Sequence, residues 1–296
     1  MMNAAAKPFV IVAHRGIQTD KNPEKMAPEN TLASLKLGAQ AGVPDEFDVW
    51  PDANGHLVVH HDDRTGHIFV LPGPQKEIRK ATWAELQQAT LNTGAYEKKV
   101  AAIQNGKPYT IPAELLKERI PDLQQVLQAV PDSPLFIELK HSDKLPRDKD
   151  FEKNVLKTLE ENHALDRVAF LSFSPRSLAK LKALNPNVKT VLNIYWPPYL
   201  KAFANNRLFL HCFVKFVANI WPKVSGINPC YAEATPALVD ICHQNNLKVM
   251  PFVYRENRQQ EVLAFPKLQQ LGVDGVITNA VDLAKDFFQK SSQPVV

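Results

Sequence analysis

Residues 135–193 hold the pattern that decides the fold. They run Leu135-Phe136-Ile137-Glu138-Leu139-Lys140, then a helical stretch over 151–162, then Val168-Ala169-Phe170-Leu171-Ser172, then a second helical stretch over 176–184, then Val188-Lys189-Thr190-Val191-Leu192-Asn193. Each apolar run is strand-sized, and each helical stretch between them is long enough to cross over and return parallel. The alternation continues outward in both directions. Upstream, strands are predicted over 9–13 and 45–50, with helices over 31–41 and 123–130. Downstream, strands are predicted over 224–228, 248–254 and 275–278. The helices there are expected near 200–220 and over 237–245, 259–271 and 280–289. Eight strands alternating with helices read as βα units on a parallel sheet, and eight units predict an α/β fold, a closed (β/α)8 TIM barrel.

Two stretches break the repeat. Residues 63–119 separate the second strand from its helix and scatter Gly, Pro, Lys and Gln. A connection this long is uncommon unless it is functional or carries its own structure. We therefore expect a single catalytic barrel over 1–296 with an inserted subdomain over 63–119, folded over the barrel mouth. The second misfit is Pro251 inside the seventh strand. Proline removes a ladder donor, so a bulge is expected there, or the strand reading fails.

Composition narrows the class. The chain has 296 residues, 45% hydrophobic and 22% charged, with 23 prolines but only 11 glycines. That balance suits a folded protein and excludes flexible, glycine-rich architectures. Net charge is only +4 and no dense basic run occurs, so no nucleic-acid partner is expected. Cys212, Cys230 and Cys242 are odd in number and lack a C-x-x-C pair. This argues against a disulfide framework or structural zinc and for a reducing compartment. The few residues before the first strand are too short for a signal peptide, and no apolar run is long enough to span a bilayer. A cytoplasmic location is the expectation.

In such a barrel the C-terminal strand ends face the active site. The first predicted strand ends in His14-Arg15-Gly16, the second carries Glu46-Phe47-Asp48, and the third carries Glu138-Leu139-Lys140. Residues i and i+2 of a strand share a face, so Glu46 pairs with Asp48 and Glu138 with Lys140. As ordinary surface or capping acids these carboxylates would not interrupt apolar strands, where charge is rarely buried without a partner. Converging bare carboxylates repel, and a hard divalent cation resolves this. All-oxygen ligation selects Mg²⁺, Ca²⁺ or Mn²⁺ over zinc. Arg15 and Lys140 add positive charge for an anionic phosphate. His60 and His61 follow in Val58-Val59-His60-His61-Asp62-Asp63. A metal, two histidines and a basic residue are the parts for acid–base cleavage of a phosphodiester.

With these pieces in place the sequence resembles the glycerophosphodiester phosphodiesterase family. The resemblance rests on His14-Arg15-Gly16, Ala27-Pro28-Glu29-Asn30-Thr31, Glu46-Phe47-Asp48-Val49, 54–63, and Phe136-Ile137-Glu138-Leu139-Lys140. Later it rests on Leu171-Ser172-Phe173-Ser174, Gly226-Ile227-Asn228-Pro229 and 274–279, where Asn279 stands in place of a common aspartate. It implies a (β/α)8 barrel with a subdomain after the second strand. It implies metal-dependent hydrolysis of glycerophosphodiesters to glycerol 3-phosphate and an alcohol, with one Mg²⁺ or Ca²⁺. Glu46, Asp48 and Glu138 match the metal ligands, His14 and His61 the acid–base pair, and Arg15 and Lys140 the phosphate contacts. The implied mechanism uses the substrate's own 2-hydroxyl as nucleophile, forms a cyclic phosphate, and opens it with water. Two competing readings are a lysophospholipase D and a non-catalytic barrel that binds phosphorylated ligands.

Some residues stand outside that match. Adjacent His60 and His61 face opposite sides of a strand, so one of them is structural or exposed under the insertion. Glu29 is a candidate for orienting its neighbours, and Asn30 or Thr31 is placed to cap the helix that follows. His56, His67, His141, His163, His211 and His243 read as surface or packing residues. Within 207–221, Arg207, His211, Lys215 and Asn219 recur every four residues. As a helix they form one narrow polar stripe on an otherwise apolar surface. That segment is either a buried barrel helix or a contact surface for lipid, membrane or another subunit.

Overall fold

The computed structural model describes residues 9–103, 106, 108–141, 148–196, 206–253 and 258–290. The residues before the first strand, expected to hold no signal peptide, the start of the helix near 200–220, and Tyr254 at the end of the seventh strand lie outside the described residues.

Eight parallel strands form the frame. They are β1 (Val10–His14), β2 (Asp45–Pro51), β6 (Leu135–Leu139), β7 (Val168–Ser172), β8 (Lys189–Ile194), β9 (Gly226–Pro229), β10 (Lys248–Val249) and β11 (Gly275–Thr278). Their order is β10-β9-β8-β7-β6-β2-β1-β11, so sequence neighbours are spatial neighbours all the way round. Pro251 shortens the seventh barrel strand from the expected 248–254 to two residues. Pairing resumes one residue later, where Phe252 bridges both Cys230 and Ile277 and draws the two ends of the sheet together.

The outer helices follow their sequence signals. Helix α1 (Leu32–Gln40) starts from a capping box between Thr31 and Ser34. Helices α4 (Leu123–Ala129), α5 (Phe151–Glu161), α6 (Pro175–Leu184), α7 (Arg207–Asn219), α8 (Pro236–Gln244) and α11 (Val281–Lys290) occupy the expected places. The helix expected over 259–271 is instead two, α9 (Arg258–Val262) and α10 (Phe265–Leu271). Pro266, in the first turn of α10, has no N–H to carry a helix across the junction.

Strand alternation sorts the core. Phe47, Val49, Ile137, Leu139 and Phe170 face the helices in the large outer cluster. Val12, Leu171, Val191, Met250 and Ile277, with Phe136 and Phe252 against them, fill the barrel interior. Gly38 on α1 is demanded by proximity: a Cβ there would lie 1.8 Å from Asp45 Oδ1.

A short strand, β3 (Leu57–Val59), folds back antiparallel on β2 and ends just before His60 and His61, which were expected on the strand itself. Residues 63–119 follow it. They hold the antiparallel pair β4 (Phe69–Val70) and β5 (Thr90–Leu91), with helices α2 (Trp83–Leu86) and α3 (Thr93–Ile103). Phe69, Ile78, Leu86, Tyr96 and Val100 build a core there that also takes in Met26, Trp50 and Val58. No helix among the described residues is long and apolar enough to cross a membrane.

Candidate active site

The register brings the chemistry-bearing residues to one level. His14 pairs with Glu46 across β1 and β2, and Asp48 with Glu138 across β2 and β6. Glu46, Asp48 and Glu138 are all buried, and each offers an oxygen within 4.8 Å of the others. Lys140 Nζ reaches both Asp48, at 2.9 Å, and Glu138, at 2.8 Å. Asn30 Nδ2 donates to Asp48 at 2.9 Å, and the Arg15 backbone N–H donates to Glu46 at 3.1 Å. Asn193 Nδ2 donates to Glu138 at 3.1 Å and is itself held by Asn228 at 2.9 Å.

The charges split within this cluster. Burial pushes the Glu46 carboxyl up, and Asp48 and Glu138 add repulsion, so it sits well above the usual carboxylate range. Burial also works against ionised Asp48, but Lys140, His61 and Arg15 outweigh it and hold Asp48 low. The Lys140 ammonium loses from burial and gains more from the two acids, so it stays firmly charged. Glu29 is buried, yet Lys99 and Arg15 keep its carboxyl well below normal. It holds Arg15 at 2.7 Å on one oxygen and Lys99, from α3, at 2.7 Å on the other.

The backbone turns that aim these groups adopt left-handed conformations. Arg15 has φ 58°, Gly16 φ 76° and Asn30 φ 56°. A side chain at Gly16 would meet the Ser34 carbonyl carbon at 2.6 Å, so the turn passes α1 closely. Thr31 makes the helix cap, which leaves the Asn30 side chain for Asp48.

The two histidines have unlike partners. Asn279 donates from its amide nitrogen to Glu261 at 2.6 Å, which turns its oxygen toward His14 Nδ1 at 2.8 Å. Gln18 donates to the same oxygen at 2.7 Å. The His14 ring therefore carries its proton on Nδ1, leaving Nε2 as the basic nitrogen. Burial and the adjacent Arg15 lower its pKa to about 3. His61 Nδ1 instead meets a carboxylate, Asp62, at 2.7 Å. His60 is buried and spends its Nδ1 on the Asp62 backbone carbonyl at 2.9 Å.

Two cavities adjoin. A 340 Å³ cavity is lined by His14, Arg15, Glu46, Asp48, His61 and Glu138, with Phe173, Asn193 and Asn228 on its far side. A larger one of 1150 Å³ shares His61, Glu138 and Lys140 and extends past Trp50, Arg64, Arg176 and Trp221. His67 and His141, expected only as surface or packing residues, line this larger space. His56 and His243 pair with Asp122 and Asp274 instead. Sequence reasoning missed Gln18, Lys99, Asn193 and Glu261.

Comparison with known proteins agrees with this arrangement. The model of the glycerophosphoryl diester phosphodiesterase family matches residues 14–283. A glycerophosphodiester phosphodiesterase of Caldanaerobacter subterraneus is 26% identical over 91% of this chain and 93% of that one. The structure of an Oleispira antarctica phosphodiesterase in complex with the product sn-glycerol-3-phosphate superposes with a TM-score of 0.70 at 22% identity. It covers 96% of this chain and 97% of its own. A Thermotoga maritima glycerophosphodiester phosphodiesterase gives a TM-score of 0.61 at 21% identity, over 96% and 98%. At those identities the solved structures establish the (β/α)8 fold. The family match runs from His14, the last residue of β1, past the end of β11, and so the chain belongs to the glycerophosphoryl diester phosphodiesterase family, a class of phosphoric diester hydrolases.

Proposed function

We propose that the protein hydrolyses glycerophosphodiesters to glycerol 3-phosphate and an alcohol, with a divalent cation held by Glu46, Asp48 and Glu138. The observation that carries this reading is the meeting of three buried carboxylates and two histidines on one 340 Å³ cavity. The donor set fits a hard cation: all oxygen, close together, and self-repelling at Glu46. Mg²⁺ and Ca²⁺ both suit it. Such an ion would supply Lewis-acid polarisation of a phosphoryl oxygen.

The chain's own residues account for the proton transfers. His14, oriented by a neutral amide, offers a bare Nε2 and removes the proton of the substrate's 2-hydroxyl. The freed oxygen attacks phosphorus, and the bond to the leaving alcohol breaks. His61, whose ring is paired with Asp62, carries the proton that the leaving oxygen takes. In the second step the roles reverse: His61 takes a proton from water, which opens the cyclic phosphate, and His14 returns its proton to the 2-oxygen. Arg15 and Lys140 balance phosphate charge, and Glu29 keeps Arg15 in place. The larger cavity receives the leaving alcohol. We read 63–119 as an inserted subdomain that roofs this space, and the enzyme as cytoplasmic, consistent with its three free cysteines.

A second reading, lysophospholipase D activity, gains support from the 1150 Å³ volume and the aromatic Trp50, Phe173 and Trp221 along it. Release of glycerol 3-phosphate from glycerophosphocholine tests the first reading. Turnover should vanish with EDTA and return with Mg²⁺ or Ca²⁺. Absence of metal-dependent turnover on any such diester would leave a barrel that only binds phosphorylated ligands. Lysophosphatidylcholine in the same assay separates the two substrates. His61→Ala should abolish turnover, while His60→Ala should keep it. The opposite result would reassign the second histidine.

A further inference from the structure

Helix α7 presents an unusual outer surface. Leu210, Val214 and Val217 face the barrel and are buried. On the outward side, Leu208 is 73% exposed, Phe216 43%, and Ile220, just past the helix end, 64%. Cys212 is exposed between Leu208 and Phe216, so steps of four residues build a continuous apolar row. Of the nine large hydrophobic side chains exposed among the described residues, four fall within 208–221. The polar row of Arg207, His211 and Lys215 runs directly beside it.

Charge says what this face meets. From residue 167 to residue 232 the sequence has no Asp or Glu in 66 positions, against nine Lys or Arg. The whole chain carries only +4, so the remainder is net acidic. The stretch of sequence that exposes the apolar row is thus free of acids, and Arg207 and Lys215 stand beside the row itself. A protein partner of ordinary composition would not require that pairing, whereas an anionic bilayer does: cationic side chains meet headgroups while Leu, Phe and Trp enter the acyl boundary. Arg207, at the start of α7, lies 3.9 Å from Asp240 of α8.

The face is also continuous with the site. Trp221, 39% exposed, closes the apolar row and lines the 1150 Å³ cavity that shares His61, Glu138 and Lys140 with the carboxylate cluster. Arg176 lines the same cavity and adds another cation on its rim.

We propose that the outward face of α7 with Trp221 docks on an anionic phospholipid bilayer, so that the wide cavity opens at the lipid surface and takes lysophospholipid substrates from it. The substrate part rests on the phosphodiesterase reading above; the docking part does not.

Co-sedimentation of the full chain with vesicles tests docking. One set is phosphatidylcholine alone, the other contains about one-third phosphatidylglycerol. Binding should appear with the anionic vesicles at low salt and weaken as salt rises. The pair Leu208→Ser and Ile220→Ser should reduce it by roughly tenfold, and so should Lys215→Glu. Turnover of soluble glycerophosphocholine should stay unchanged in both variants, which establishes that they fold. Failure of the parent chain to bind anionic vesicles at low salt overturns the proposal. So does undiminished binding by both variants, or a dimer in solution that the same substitutions dissolve, since a second copy would then cover the face. Docking without turnover on any diester would defeat only the phosphodiesterase reading.

Discussion

The two walls of the barrel mouth divide their polar groups by charge. Strands β1, β2 and β6 and the turns beyond them contribute His14, Arg15, Glu46, Asp48, Glu138 and Lys140. Strands β7, β8 and β9 reach the same height with Ser172, Asn193 and Asn228, none of them ionisable. The neutral wall holds by relay: Asn228 donates to Asn193, and Asn193 donates to Glu138. Buried amides can orient a carboxylate without adding a charge that would need its own partner. On the proposed reading, the wall with the charges carries the chemistry, and the wall without them fixes where those charges stand.

That division breaks most visibly at His14. His14→Ala should lower kcat by about 10²- to 10⁴-fold with the fold intact, read by steady-state kinetics beside a thermal melt. Asn193→Ala should do less, lowering activity or apparent metal affinity by about tenfold through a misplaced Glu138. It would be read in a metal titration of activity. A loss as large as that of His14→Ala would mean that the neutral wall takes part in the reaction itself.

The smallest effect sharpens the contrast on a single strand. Asp45 precedes Glu46 on β2 and points the other way, into the packing against α1. It is fully buried, and neither carboxyl oxygen has a hydrogen-bond partner among the described residues. Burial raises its pKa well above normal. The unfolded chain ionises Asp45 near pH 4 while the folded chain resists, so this residue's stability contribution is full below about pH 4 and is lost as pH rises toward the folded pKa. Asp45→Asn removes that loss. It should stabilise the protein by about 1 kcal/mol at neutral pH and by little at acid pH, read as the difference between melts at the two. A destabilised variant at both would show that the carboxyl has a partner after all.

Legibility followed the same line as charge. His14, Glu46, Asp48, Glu138 and Lys140 stood out because a charge inside an apolar strand contradicts its surroundings, and strand alternation aims it. Asn193 and Asn228 contradict nothing, since a polar residue at a strand end is ordinary. Glu261 and Asn279 lie 18 residues apart in sequence, and only the closing of β11 onto β1 brings their amide–carboxylate pair behind His14. Lys99 arrives from α3 of the inserted stretch, 70 residues from Glu29, with no local signal at all. The barrel itself was legible from the alternation of its units. Pro251 and Pro266 explain where expected elements were cut short or divided, for want of an N–H.

The hairpin of β2 and β3 has a consequence for how such enzymes diverge. His60 N–H bonds to the Asp48 carbonyl at 3.1 Å, and Trp50 Nε1 bonds to the His61 carbonyl at 3.2 Å. The second histidine is therefore laced to the strand that carries Glu46 and Asp48 before residue 63 is reached. A graft that exchanges 63–119 for another sequence would travel around this rivet rather than through it. If 63–119 roofs the site as proposed, new roofs, and with them new leaving alcohols, can be tried while His61 and the carboxylates keep their spacing.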